Sequence, residues 1–217
     1  MTILNIPIKF HYSMLFLIAL VVFQAGVVSG LIISTIVYLT ILMHELAHIK
    51  TAEQYGMLTS NITLHGLGGV ANIDVSFDKI SPKREIIISL MGPISNFIAA
   101  ILIYFIAYTF NINMQDMENG PNLDFAITYL YLVNVVLGIF NMLPAFPMDG
   151  GRILKAFLTI MLKDKDKATK YSIAVALVFA TLFVIYGVIV GAIALTFIGI
   201  ILWITGASHL LKISEIN

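Results

Sequence analysis

The chain has 217 residues, of which 59% are hydrophobic and only 11% are charged, and its formal net charge is zero. Soluble domains carry about 25% charged residues, so this composition indicates an integral membrane protein, and the neutral balance gives no reason to expect a nucleic-acid partner. The sequence has no cysteine, which excludes disulfides, a thiolate metal site and a cysteine nucleophile. Any metal must therefore be held by His, Asp, Glu or water.

Six apolar stretches are candidates for transmembrane helices, each of which needs ~20 apolar residues. A tight turn at Gly30 makes the first two a predicted hairpin. Residues 1–11 lack the features of a cleavable signal peptide. We expect an all-α polytopic membrane protein with no room for a further domain. The predicted spans are residues 13–28, 31–49, 86–110, 123–142, 173–190 and 191–208.

The segment between the second and third spans is polar and rich in glycine. Residues 62–64 and 70–73 are predicted to form short strands around Gly66, Gly68 and Gly69. We therefore expect a small cytoplasmic β element between spans two and three. An open edge of this element could receive an extended peptide, although a simple surface hairpin explains the pattern equally well.

The third and fourth spans contain the residues that interrupt regular helices. Gly92 and Pro93 in span three indicate a kink or close helix packing as readily as a functional site. The run N-M-L-P-A-F-P-M-D-G-G-R, residues 141–152, cannot form one continuous helix because of its prolines and glycines. No internal repeat is evident, which argues against an inverted-repeat transporter.

The distribution of basic residues predicts the orientation in the membrane. With the N-terminus inside, all twelve Lys and Arg residues fall in segments 1–12, 50–85, 143–172 and 209–217. The positive-inside rule then places both termini in the cytoplasm of a multi-pass cell-membrane protein. Span two runs inward, so His44 lies ~21 Å along it, in the cytoplasmic half of a ~30 Å core.

The sequence M-H-E-L-A-H, Met43 to His48, is the chemically distinctive part of span two. Residues four apart share one face of a helix, so His44 and His48 can reach the same point. H-E-x-x-H on a helix is a zinc-protease signature, in which Glu45 is the general base. The alternative is a buried helix with two hydrogen-bonded histidines and an ion-paired Glu. Three ionisable residues within five positions of a span favour one bound divalent metal.

A catalytic zinc site takes three protein ligands and leaves one position for water. Asp149 is the best candidate for the third ligand, because its irregular segment needs protein burial or a wet cavity at membrane depth. An exposed turn aspartate is an equally good interpretation, since D-G-G is good turn chemistry. His11, His65 and His209 lie near predicted ends or loops, and His65 is the next candidate.

Together these motifs resemble the site-2 protease family of intramembrane zinc metalloproteases. The resemblance rests on H-E-L-A-H in span two, G-P-I-S-N in span three and N-M-L-P-A-F-P-M-D-G-G-R after span four. It is closest to prokaryotic six-span members without a PDZ or CBS domain. The resemblance implies that His44, His48 and Asp149 hold one zinc ion and that Glu45 is the catalytic base. It also implies that Asn141 and Asn96 contribute to substrate binding.

The function that this resemblance implies is hydrolysis of peptide bonds in or near the transmembrane helix of a single-span substrate, as in regulated intramembrane proteolysis. Membrane lipids are the other expected partner. A membrane zinc carrier or sensor using the same ligands is the alternative. The Glu in the motif, the lack of a repeat and the lack of ligands toward the outside argue against that alternative.

Overall fold

The structure is a computed structural model that describes residues 2–4, 6–66, 68–73, 80–114 and 120–214. Seven helices and four short strands are found in these residues. The helices are α1 Ser13–Ala25, α2 Val27–Glu53, α3 Pro82–Thr109, α4 Leu123–Met142, α5 Asp149–Leu162, α6 Lys165–Val190 and α7 Ile193–Ser214, and the strands are β1 Thr2–Ile3, β2 Ile6–Phe10, β3 Thr59–His65 and β4 Gly68–Ile73.

The six-span expectation is not confirmed, although a helical membrane protein is. By length and composition, α2, α3, α4 and α6 could cross a membrane, whereas the apolar helices over Ser13–Ala25 and Leu195–Ser208 are shorter. At 13 residues α1 extends only ~20 Å, which is less than the ~30 Å hydrocarbon core.

The first turn lies four residues earlier than the sequence predicts. Gly26, with φ of 81°, separates α1 from α2. Gly30 instead lies inside α2, where a Cβ would come within 2.5 Å of the Val22 backbone. Gly30 is therefore a close-packing residue of the predicted hairpin. Helix α6 ends at Val190, the last residue of the fifth predicted span, and Gly191, with φ of 70°, caps it.

The chain forms two compact units. Unit 1 contains residues 1–76 and 91–139, and unit 2 contains residues 77–90 and 140–217. Unit 1 therefore holds the sheet, α1, α2, most of α3 and most of α4. Unit 2 holds the first turns of α3, the end of α4 and the helices α5 to α7.

In unit 1 the strands form one sheet in the order β1-β2-β3-β4, with β2 parallel to β3 and the other pairs antiparallel. The predicted strands over 62–64 and 70–73 are confirmed and are longer than expected. Strands β1 and β2 were not predicted. The alternation of buried Ile6 and Ile8 with exposed Pro7 and Lys9 is a period-2 signal that could have revealed β2.

The sheet packs against α2, and this contact forms the hydrophobic core of unit 1. Strands β2 and β3 contribute one row of buried side chains and α2 contributes another. The α2 residues Ile41, Glu45 and Ile49 are four apart, so they share the face that meets the sheet. The core residues are Ile6, Ile8, Tyr38, Ile41, Leu42, Leu46, Ile49, Ile62 and Leu64.

In unit 2 the segment between α4 and α5 interrupts the helix, as its prolines and glycines predict. Helix α5 begins at Asp149 itself. A Cβ on Gly150 would clash with the carbonyl oxygens of Met142 and Leu143, and one on Gly151 would lie 2.8 Å from Ala145 C. Both glycines are therefore needed for the loop to pack against the first turn of α5.

Candidate metal centre

The two histidines of α2 direct their ring nitrogens at one point. Both imidazoles are buried, and their Nε2 atoms lie 3.1 Å apart. Two nitrogen ligands of one tetrahedral zinc ion, at ~2.0–2.1 Å from the metal, lie ~3.3 Å from each other. The spacing of the Nε2 atoms therefore fits a shared zinc ion, as the H-E-x-x-H pattern predicts.

Helix α3 approaches the two imidazoles closely at Gly92. A Cβ at this position would contact His48 Nε2 and would come within 2.5 Å of His48 Cε1 and 2.6 Å of His44 Cε1. Only a residue without a side chain fits there. The Gly92 of the predicted third-span motif is thus explained by the approach of a helix backbone to both rings.

Asn96 follows Gly92 by one helical turn on α3 and contacts the other nitrogen of His44. Its Oδ1 lies 2.6 Å from His44 Nδ1, and its side chain is only 1% exposed. Its Nδ2 donates to Asn134 Oδ1 at 3.1 Å. Hydrogen bonds of this kind to the second ring nitrogen commonly orient metal-binding histidines. Both of these contacts are made within the protein, and the predicted substrate-binding role of Asn96 stays a prediction.

Glu45 lies on the face of α2 that meets the sheet and is partly buried. A Cβ on Gly69 of β4 would lie 2.8 Å from Glu45 Cγ and 3.0 Å from Ile41 Cγ2. The backbone of β4 therefore passes directly over the Glu45 side chain. Among the described strands, β4 is at one end of the sheet.

Asp149 is the first residue of α5 in unit 2 and is only 6% exposed. Its Oδ1 lies 3.7 Å from Arg152 Nη1, one helical turn along the same helix. The exposed-turn interpretation of this aspartate is therefore wrong, because the first turn of α5 is buried. A buried carboxylate needs a cation or hydrogen bonds, and Arg152 is one such neighbour.

Among the residues that the structure describes, His11 and His65 are not in the group of possible metal ligands. His65 ends β3 with its ring centroid 4.8 Å from that of His11, and His11 Nδ1 lies 2.8 Å from Ser13 Oγ. The side chain of His209 lies outside the described residues. His44 and His48 of unit 1 and Asp149 of unit 2 are each buried, and each side chain has an atom of a type that can bind a metal.

Sequence reasoning missed Asn134 of α4. Its Nδ2 donates to Leu130 O at 2.8 Å and lies 3.5 Å from Thr40 Oγ1, and the side chain is buried. The signal that could have revealed it is a lone amide in an apolar span, since such residues in membrane helices usually bond across helices. The predicted contact of Asn141 with substrate stays a prediction.

Comparison with known proteins shows the family to which this chain belongs. The model of peptidase family M50 matches residues 32–119 and 111–185, more than half of the chain. The solved structure of a site-2 protease from Methanocaldococcus jannaschii superposes with a TM-score of 0.74 and 29% identity, over 96% of this chain and 92% of that one. The chain therefore belongs to peptidase family M50, the site-2 protease family.

Two curated relatives carry names that state the metal. Zinc metalloprotease MJ0392 of Methanocaldococcus jannaschii is 33% identical over 72% of this chain and 44% of its own length. The putative zinc metalloprotease YwhC of Bacillus subtilis is 31% identical over 68% of this chain and 78% of its own length. The chain thus spans less than half the length of the first of these relatives. Zinc is the metal of the family, and the paired imidazoles fit it.

Proposed function

We propose that this protein is a zinc-dependent endopeptidase that cleaves peptide bonds in or near the transmembrane helices of membrane proteins. The observation that carries the proposal is the 3.1 Å approach of His44 Nε2 to His48 Nε2 on a helix long and apolar enough to cross a membrane. Glu45 lies between these two histidines in the sequence, on the neighbouring face of the same helix.

His44, His48 and Asp149 would hold the zinc ion. The three residues supply two neutral nitrogen donors and one carboxylate, a set typical of catalytic zinc sites with an open position for water. The burial of all three supports this assignment, since buried ionisable groups need charged or hydrogen-bonding partners and one zinc ion would serve all three. When bound, zinc supplies a Lewis acid that polarises the scissile carbonyl and activates water.

Glu45 acts as the general base and then as the general acid. Its carboxylate takes a proton from the attacking water and returns it to the leaving amine. The backbone of β4 restricts the positions that the Glu45 side chain can adopt, so the carboxylate stays near the face of α2 that meets the sheet. Asn141, eight residues before Asp149, is proposed to donate a hydrogen bond to the substrate backbone or to the oxyanion.

Strand β4 is proposed to hold the substrate. The amides of a transmembrane helix are engaged in i→i−4 bonds, so the substrate must unwind locally before hydrolysis. An extended segment can then pair with the outer edge of β4 by strand addition. Because Gly69 of β4 lies over Glu45, a peptide on this edge would be delivered close to the base. In the proposed orientation, with both termini cytoplasmic, cleavage occurs in the cytoplasmic half of the bilayer.

Metal content tests the ligand set without a known substrate. Detergent-purified protein should contain about one zinc per chain, and His44→Ala and Asp149→Ala should both lose it. His65→Ala is the matched control and should keep zinc. Zinc retained in Asp149→Ala but lost in His65→Ala would show that His65, and not Asp149, is the third ligand. No zinc in the intact protein would overturn the proposal.

Cleavage of single-span reporter helices that contain Gly and Pro in their cytoplasmic half tests the chemistry. Glu45→Gln should keep zinc and fold but lose cleavage, whereas Glu53→Gln on the same helix should keep both. Glu53 is a suitable control because it pairs with Lys50 at an exposed position. Zinc uptake into vesicles that persists in Glu45→Gln would favour the metal carrier instead.

A further inference from the structure

A row of hydrogen-bonded buried polar groups runs through unit 1 from α4 to the metal centre. It comprises Asn134 of α4, Asn96 of α3 and His44 of α2, and Thr40 lies beside it one turn before His44. All four side chains are buried, with exposures of 1–4%. The proposed chemistry assigns no role to Asn134 or Thr40.

The direction of each hydrogen bond in this row is fixed from one end. The Leu130 carbonyl oxygen can only accept, so the group of Asn134 that lies 2.8 Å from it must be the Nδ2 amide. Asn134 Oδ1 must then face Asn96 and can only accept. Asn96 therefore presents Nδ2 to Asn134, at 3.1 Å, and its Oδ1 must face His44.

This order determines which nitrogen of His44 carries the proton. Asn96 Oδ1 lies 2.6 Å from His44 Nδ1 and can only accept, so Nδ1 must be the protonated nitrogen. In a neutral imidazole the other nitrogen is then the unprotonated one, which can bind a metal. That nitrogen is Nε2, which lies 3.1 Å from His48 Nε2 at the centre of the proposed zinc site.

The geometry points to Asn134 as a positioning residue that fixes the zinc-binding tautomer of His44 through the orientation of the Asn96 amide. The inference rests on the proposed role of His44 as a zinc ligand. Without Asn134, the side-chain amide of Asn96 could rotate by about 180° and present Nδ2 to His44 Nδ1. The imidazole would then favour the opposite tautomer, whose Nε2 carries a proton and cannot bind zinc.

Asn134→Leu removes the fixed end of the row at similar volume. Zinc affinity, measured by competition with a chelator, should fall about 10- to 100-fold, the usual effect of losing an orienting partner. In the metal-free protein, ¹⁵N NMR of labelled histidines should show loss of the Nδ1-protonated state at His44. Thr128→Val is the matched control on α4, because Thr128 is also buried and its hydroxyl donates within its own helix, to Asp124 O.

A double mutant separates orientation from packing. Asn96→Asp places two acceptor oxygens opposite His44 and Asn134, so the side chain at position 96 no longer has a wrong orientation. Asn134→Leu should therefore weaken zinc binding strongly when position 96 is Asn but less than about threefold when it is Asp. An equal loss in both backgrounds would show that Asn134 only fills space and would overturn the inference.

Asn134→Asp provides a second variant if Asn134→Leu fails to fold. Its carboxylate still accepts from Asn96 Nδ2, so zinc affinity should stay within about threefold of the original protein. Affinity as low as that expected for Asn134→Leu would contradict the inference. His44→Ala distinguishes the two levels of failure. If it keeps zinc, the proposed site is wrong, whereas if it loses zinc and Asn134→Leu does not, only the role of Asn134 is wrong.

Discussion

Replacing Gly92 by Ala tests the metal centre with the smallest possible change. The added Cβ would lie 2.5 Å from His48 Cε1 and 2.6 Å from His44 Cε1, whereas ordinary van der Waals contact begins at 3.4 Å. One methyl group therefore requires a displacement of about 1 Å, roughly twice the ~0.5 Å tolerance of a working site.

The displacement must fall on the imidazoles, because Gly92 is in the interior of the 28-residue helix α3 and cannot retreat alone. We expect the zinc affinity of Gly92→Ala to fall at least about 10-fold and cleavage to fall about 100-fold. Zinc affinity is measured by chelator competition and folding by circular dichroism in the same detergent.

Gly138→Ala is the matched control for this prediction. It also adds a methyl group to a helical glycine of unit 1, but the three atoms nearest its Cβ would all belong to the ring of Phe97, the closest 2.9 Å away. It should keep zinc binding even if it lowers stability. Zinc affinity unchanged in folded Gly92→Ala would refute the reasoning, because the rings would then not be held where the structure places them.

Three further substitutions test separate contacts. Gly69→Ala should displace Glu45 and slow cleavage about 10- to 100-fold while zinc content stays at one per chain, and an unchanged rate would contradict the packing of β4 on Glu45. Gly151→Ala should lower stability to denaturant by ~1–3 kcal/mol, because its Cβ would lie 2.8 Å from the backbone at Ala145; higher stability would mean that helix propensity dominates. Asp164→Ala should lower the melting temperature at pH 7, because Asp164 caps α6 and the backbone N–H of Lys167 holds its pKa below the ordinary 3.8. That stabilisation is fully present above pH 3.8 and is lost as the pH falls through the lower folded-state pKa, so the difference between the two proteins should vanish in acid.

The sequence predicted the central helices well because their signal is local. Span four matches α4 at both ends, span two lies inside α2, and span three extends one residue beyond the end of α3. The predicted helix ends were less accurate where a glycine could mark either a turn or a close contact between helices. Gly30 was interpreted as a turn, but a close approach to Val22 accounts for it, and nothing local distinguishes the two roles.

The spacing of H-E-x-x-H alone determined that two imidazoles share one face of α2, because the helix period fixes it. The absence of cysteine likewise restricts the protein ligands of a metal to His, Asp and Glu. These conclusions depend only on residue type and on a spacing of a few positions, so the sequence was sufficient for them.

Only the tertiary structure decided which groups surround the face of α2 that His44 and His48 share. Asn96 contacts His44 across 52 positions, and Asn134 lies beside Thr40 across 94. The parallel pairing of β2 with β3 and the passage of β4 over Glu45 are equally non-local. Which side chains meet between distant elements depends on how the helices and strands pack, and helix or strand periodicity carries no information about that. The sequence thus determined the chemistry of the site, and packing determined the groups that hold it in position.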